Sequence, residues 1–198
     1  VLDTETVVDT DTVLDTDTVL DTETVVDTDT VIVDTPLPLT FLDMSTVSPG
    51  DLVISELMVA PNTDSEAPEW IEVFNASGAE VTLNRLELQH EATTLKKHEV
   101  QGAGKLAAGG YFVFGEASAS YIDYEYSTVS LTNDGGTVRI LCQGDVIDEA
   151  QYGDSGGGTP ETAISLSFDG GLSPDGFLND DADYWCNGDV SYDGTNYG

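Results

Sequence analysis

The first thirty residues are five hexapeptides, VLDTET, VVDTDT, VLDTDT, VLDTET and VVDTDT, and few folds can hold such a run. Its even positions read Leu2, Thr4, Thr6, Val8, Thr10, Thr12 and Leu14, and so on to Thr30, without a charge. Its odd positions read Val1, Asp3, Glu5, Val7, Asp9 and Asp11, with two carboxylates for every Val. Successive side chains of a strand point to opposite faces. An extended chain therefore has one uncharged face and one acidic face. Val and Thr favour strand over helix, and a helix would scatter the acids around its circumference. The pattern predicts an extended arm over residues 1–35. Leu2, Val8, Leu14, Leu20, Val26 and Ile32 are the apolar contacts of its neutral face.

A lone strand cannot satisfy its own amide and carbonyl groups. Thirty extended residues reach roughly 100 Å at about 3.3 Å per residue, whereas a domain of ~150 residues is about 30 Å across. The arm must leave its domain, curl up, or cross several neighbours. A slip of one repeat leaves the pattern unchanged, which argues against a single docking groove and suits a lattice of equivalent partners. The hexapeptides also fit a left-handed parallel β-helix, but five make fewer than two coils and would have to stack with other chains. The remaining reading is a disordered, charge-extended stalk, of the Thr-rich kind that carries O-glycans.

The composition changes after the repeat. Residues 31–40 add Pro36 and Pro38, and residues 1–40 hold 11 acids with no Lys, Arg or His. All five basic residues and the other 38 − 11 = 27 acids fall in 41–198. The expected organisation is an arm over 1–35, a Pro-containing linker over 36–50 and a domain over 51–198. A net charge of −33 argues against nucleic acid or anionic lipid as a partner, since both need a basic surface. No apolar run of 18 residues is present to insert in a membrane as a helix.

From Asp51 the chain reads as eight short strands at 52–59, 69–75, 79–88, 111–115, 126–131, 136–142, 145–152 and 162–168. Asp134-Gly135, Asp169-Gly170, Asp175-Gly176 and Asn187-Gly188 mark turns. Regular strand spacing without helical periodicity predicts an all-β sandwich.

The segments GDLVISELMVAPN, EWIEVFNASGAEVTLNRLEL, GKLAAGGYFVFGE and LTNDGGTVRILCQGDVIDEAQYG, with the later SLSF, resemble successive motifs of the lamin tail domain family, in particular its secreted bacterial members. The resemblance spans residues 50–198. It implies an immunoglobulin-like β-sandwich, with Glu56, Glu69, Trp70, Ile71, Glu72 and Asn75 at signature positions. Trp70 and Ile71 would lie near the core and Asn75 would open a turn. The family is a binding and structural module, so no catalytic residue carries over. The arm has no counterpart in it.

Cys142 and Cys186 are the only cysteines. In a secreted, β-rich chain an even count favours one disulfide, which would close a loop of about 44 residues and add ~2–4 kcal/mol. Gly153-Asp154-Ser155-Gly156-Gly157 is GDSGG, the string around the nucleophile of chymotrypsin-like proteases. Such an enzyme needs a His held by a buried Asp, and neither His98 in KKHEV nor His90 in LQHEA has that setting. The string is read as a flexible loop and the protein as no enzyme. Asp180, Asp181 and Asp183 form a candidate Ca²⁺ cluster in LNDDADYW, though Ca²⁺ needs six to eight oxygens and no other cofactor is implied.

Together these features predict an extracellular or cell-surface structural subunit. It would form a homopolymer, a filament or surface layer, through arms that add strands to other copies. The alternative is a stalked adhesion module binding a surface glycan. Divalent cations such as Ca²⁺, or salt, are expected to aid assembly by screening the carboxylates.

Overall fold

The computed structural model describes residues 41–42, 46–62, 67–191, 194 and 196–198. The repeat arm, with Leu2, Val8, Leu14, Leu20, Val26 and Ile32, lies outside them. The described residues form an all-β sandwich with one 3-10 turn at Ala182–Tyr184. In chain order the strands are β1 (Phe41–Leu42), β2 (Leu52–Met58), β3 (Trp70–Asn75), β4 (Glu80–Thr82), β5 (Leu86–Glu91), β6 (Leu95–Glu99) and β7 (Lys105–Leu106). There follow β8 (Tyr111–Gly115), β9 (Tyr124–Glu125), β10 (Gly135–Cys142), β11 (Asp145–Gly153), β12 (Leu166–Phe168) and β13 (Trp185–Asn187).

One face of the sandwich is a six-stranded sheet in the order β13-β12-β2-β3-β8-β9, and the other is a four-stranded sheet, β11-β10-β5-β6. A small sheet, β1-β4-β7, accompanies them. Alternation decides which side chains meet between the layers. Leu52, Ile54, Leu57, Ile71, Val73, Phe112 and Phe114 come from one sheet, and Leu86, Leu88, Val138, Ile140, Ala150 and Tyr152 from the other. Phe41–Leu42 pairs in parallel with β4, so part of the stretch expected as linker is strand.

Four local features differ from expectation. The run at 126–131 is a connection rather than a strand. Tyr126, Val129 and Leu131 are buried, but the run's hydrogen bonds are scattered instead of forming a ladder: Leu131 N donates to Glu69 Oε2 at 2.7 Å and Thr128 Oγ1 donates to the Lys97 carbonyl at 2.6 Å. The run at 79–88 breaks into β4 and β5 at Arg85, whose φ of 76° is left-handed. β6 has no apolar alternation to reveal it; it forms by pairing antiparallel to β5. The expected 162–168 strand shrinks to its last three residues, because Ala163 also takes a positive φ, of 71°.

Asn75 fixes the corner after β3. It is fully buried, and its Nδ2 donates to the carbonyls of Ala79 at 2.8 Å and Leu106 at 2.9 Å. Its Oδ1 accepts from Ser77 N and Ser77 Oγ. The turn foreseen from the resemblance is thus an Asx turn with every donor and acceptor engaged.

Replacing Asn75 by Ala removes its bonds to the Leu106 and Ala79 carbonyls, leaving the latter only the Ser77 hydroxyl at 3.0 Å. Asn75→Ala is expected to destabilise the domain by roughly 2–4 kcal/mol in urea titration. A change below about 0.5 kcal/mol would show that the corner is held by packing alone.

Candidate functional site

A bulge in β2 builds the site. The register of β2 against β3 shifts between Ile54 and Glu56, and the extra residue reverses the alternation. Leu52 and Ile54 face the core before the bulge, and Leu57 after it. Glu56 turns to the outer face of the six-stranded sheet, directly across from Glu72 on β3. Like charges opposite each other are destabilising. The chain answers with hydroxyls and protons. Ser55 Oγ donates to Glu72 Oε1 at 2.8 Å, and Ser165 Oγ donates to Glu56 Oε1.

Burial pushes the Glu72 carboxyl up to about 7 against the bond from Ser55, with Glu56 and Asp123 adding repulsion. Burial also raises Glu56, offset by Ser165 and Ser167. A hollow of about 320 Å³ lies against the pair, walled by Tyr111, Phe168, Leu172 and Pro174. A smaller one of about 180 Å³ lies beside Trp70, Val113 and Tyr121. Trp70 is buried at 5% exposure but outside the central core cluster; it covers the outer face, whereas Ile71 enters the core as expected. The pair can hold protons and accept hydrogen bonds from a polar ligand.

A second cluster ties the sheets together. Asp148 on β11 is 4% exposed. Its Oδ2 accepts from Ile54 N at 2.7 Å, beside the bulge, and from Asn179 Nδ2 at 2.7 Å. Asn179 Nδ2 also donates to the Ile54 carbonyl, and Trp185 Nε1 donates to the Asn179 carbonyl at 2.8 Å. One carboxyl thereby joins β2, β11 and the C-terminal segment. Burial pushes Asp148 up to about 7, opposed by these hydrogen bonds, with Asp180 nearby adding repulsion. Glu69, which anchors Leu131, is likewise pushed by burial up to about 7. Sequence reading named Glu56, Glu69 and Glu72 as signature positions without pairing them, and missed Asp148. The signal was an acid at the inward parity of β11, in step with Ala150 and Tyr152.

The expected disulfide does not form. Cys142 and Cys186 are thiols, the first buried on β10 and the second exposed on β13. These strands belong to different sheets, which sequence spacing could not reveal. The acids at 180–183 have other work: Asp181 Oδ1 accepts from Asp183 N and caps the 3-10 turn. Among the described residues no group of three or more His, Cys, Asp or Glu side chains comes together as metal ligands. Ser155 sits in a turn after β11 that glycine makes possible. Gly157 has φ 67°, and a Cβ there would lie 1.8 Å from the Gln151 carbonyl. Both histidines are committed elsewhere. His90 Nε2 lies 2.9 Å from Tyr152 Oη, and His98 bonds to Thr128 and Tyr124.

The raised carboxyls set a sign for pH dependence. Each holds its proton in the folded state at pH values where the unfolded chain has released it. Their contribution is complete below the unfolded values and is lost as pH rises through the folded ones. The melting temperature should therefore fall between about pH 5 and 7.5 and level off above. Glu72→Gln keeps the acceptor for Ser55 and should flatten the fall in thermal melts; a melting temperature that climbs with pH over this range would contradict the assignment.

Comparison with known protein families places this geometry. The model of the Lamin Tail Domain matches residues 45–154, more than half of the chain. No curated protein matches it. The match covers β2 to β11, with Glu56, Glu69, Trp70, Ile71, Glu72 and Asn75 inside it. The chain belongs to the lamin tail domain family, a non-enzymatic family of immunoglobulin-like structural domains.

Proposed function

We propose that this protein is an extracellular structural subunit that assembles with copies of itself into a filament or surface layer, the arm over residues 1–35 adding strands to neighbouring subunits. The observation that carries the reading is the strict alternation of the repeat, with a neutral Leu/Val/Thr face and an acidic face. Such a ribbon has backbone groups to satisfy on both edges and an apolar stripe to cover. Membership of a structural domain family supports it. Contacts that repeat head to tail without closing make a fibre.

The outer-face hollow favours a second reading. Its Glu56–Glu72 pair and the half-exposed Tyr111 suit hydrogen-bonding and stacking ligands such as a surface glycan. The arm would then be a stalk, and a glycan array would identify the ligand.

Two outcomes test the assembly reading. A chain lacking residues 1–35 should remain monomeric by light scattering while the full chain polymerises; normal polymerisation of the shortened chain would refute it. At −33 per subunit, association works against charge repulsion. Ca²⁺ or added salt should promote it, and chelation at low ionic strength should reverse it. Indifference to both would count against a carboxylate-faced contact.

A further inference from the structure

We infer that the hollow on the outer face of the six-stranded sheet takes a glycan bearing free amino groups, with one ammonium seated between Glu56 and Glu72. This rests on the glycan reading above and names the chemistry of its ligand.

The charge at the hollow is uncompensated. Glu56 and Glu72 face each other across β2 and β3, where like charges repel. The ion pairs of the described residues join Lys97 to Glu87, Lys105 to Glu80, and Arg139 to Glu91 and Glu149. None of these reaches Glu56 or Glu72. Besides Glu56, the charge acting on Glu72 is that of Asp123, another acid. The Ser55 and Ser165 hydroxyls donate to Glu72 Oε1 and Glu56 Oε1, which satisfies two oxygens but adds no positive charge. A neutral sugar would do no more than these hydroxyls. An ammonium brings three donors and the missing charge, and its bonds to carboxylates are of the strong, charge-assisted kind. It would also offset the burial that raises the proton affinity of both carboxyls.

The shape of the face selects a sugar over a bare amine. Both glutamates line both hollows, the one of about 320 Å³ and the one of about 180 Å³. The acid pair is thus the wall that the two hollows share. Tyr111 and Leu172 line the larger hollow and are 52% and 45% exposed, so apolar surface is open to a ligand beside the acids. The Tyr111 ring packs on Phe74 with centroids 4.9 Å apart, and Phe168 stacks on Tyr184 at 6.3 Å. Aromatic rings held in this way offer fixed flat walls for the apolar face of a sugar ring. Trp70 and Tyr121 line the smaller hollow. A lysine side chain would enter one hollow and leave the other empty. A short chain of amino sugars fills both and sets an amine over the shared acids.

The test is calorimetric titration of the full chain in low salt at about pH 6.5, where a free amine keeps its proton. The probes are a glucosamine tetramer, its fully N-acetylated counterpart and tetralysine. The glucosamine tetramer should bind, and the other two should bind at least about tenfold more weakly. Glu72→Gln keeps the acceptor for Ser55 and should weaken the glucosamine tetramer roughly tenfold, whereas Asp145→Asn, at an exposed acid of the four-stranded sheet, should change it by less than about twofold. Tyr111→Ala should weaken it several-fold through loss of the ring wall. Near-ultraviolet circular dichroism checks that each variant is folded. Equal binding of the N-acetylated tetramer overturns this inference and leaves the glycan reading standing. Equal binding of tetralysine overturns it in favour of a basic peptide. Equal losses from Glu72→Gln and Asp145→Asn overturn it as well, since the attraction would then belong to the overall charge. Binding of neither tetramer overturns the inference, and a glycan array without a hit overturns the glycan reading with it.

Discussion

A strand at the edge of a sheet leaves amides and carbonyls that must be covered, and this constraint shapes the sandwich. At its two longer edges, β11 and β6, the sandwich meets it from within its own chain. Gly50 and the 157–158 turn cover β11, and Thr128 caps β6. At the β2 bulge, where the ladder is interrupted, the Asp148 carboxyl receives the Ile54 amide. The acid does there what a strand cannot, and it binds Asn179 as well, so the C-terminal segment is held by the same group. A buried carboxyl is tolerable because it accepts several hydrogen bonds and is readily protonated.

The sandwich was legible where alternation is strict. Ile71 and Val73, or Val138 and Ile140, announce an inward face by spacing alone, and the family motifs set their order. β6 was invisible because Leu95–Glu99 gains its structure from β5 and buries little of its own. The 126–131 run misled because three buried apolar residues look like a strand even when the backbone bonds elsewhere. The paired glutamates and Asp148 depend on a one-residue bulge, and no pattern of period two can place a bulge. The thiols show the same limit: an even count of cysteines says nothing of which sheet each occupies.

The outer face of the six-stranded sheet holds two acids in register. Glu56 and Glu72 stand opposite each other, half-buried, with serine hydroxyls and aromatic walls around them. Nothing in the packing of the core requires two acids there. Burial raises the proton affinity of both carboxyls, and a hollow lies beside them. The repeat is a sequence that a slip of six residues leaves unchanged, whereas the outer face is a single shaped patch.

The central claim is that the repeat is a strand which finds its backbone partners in assembly. Hydrogen exchange over residues 1–35, compared between monomer and polymer of the full chain, tests it most directly. Amides of the arm should exchange at least about a hundredfold more slowly in the polymer, as expected for paired strands. Arm amides that exchange at the unprotected rate while the polymer persists would contradict the account.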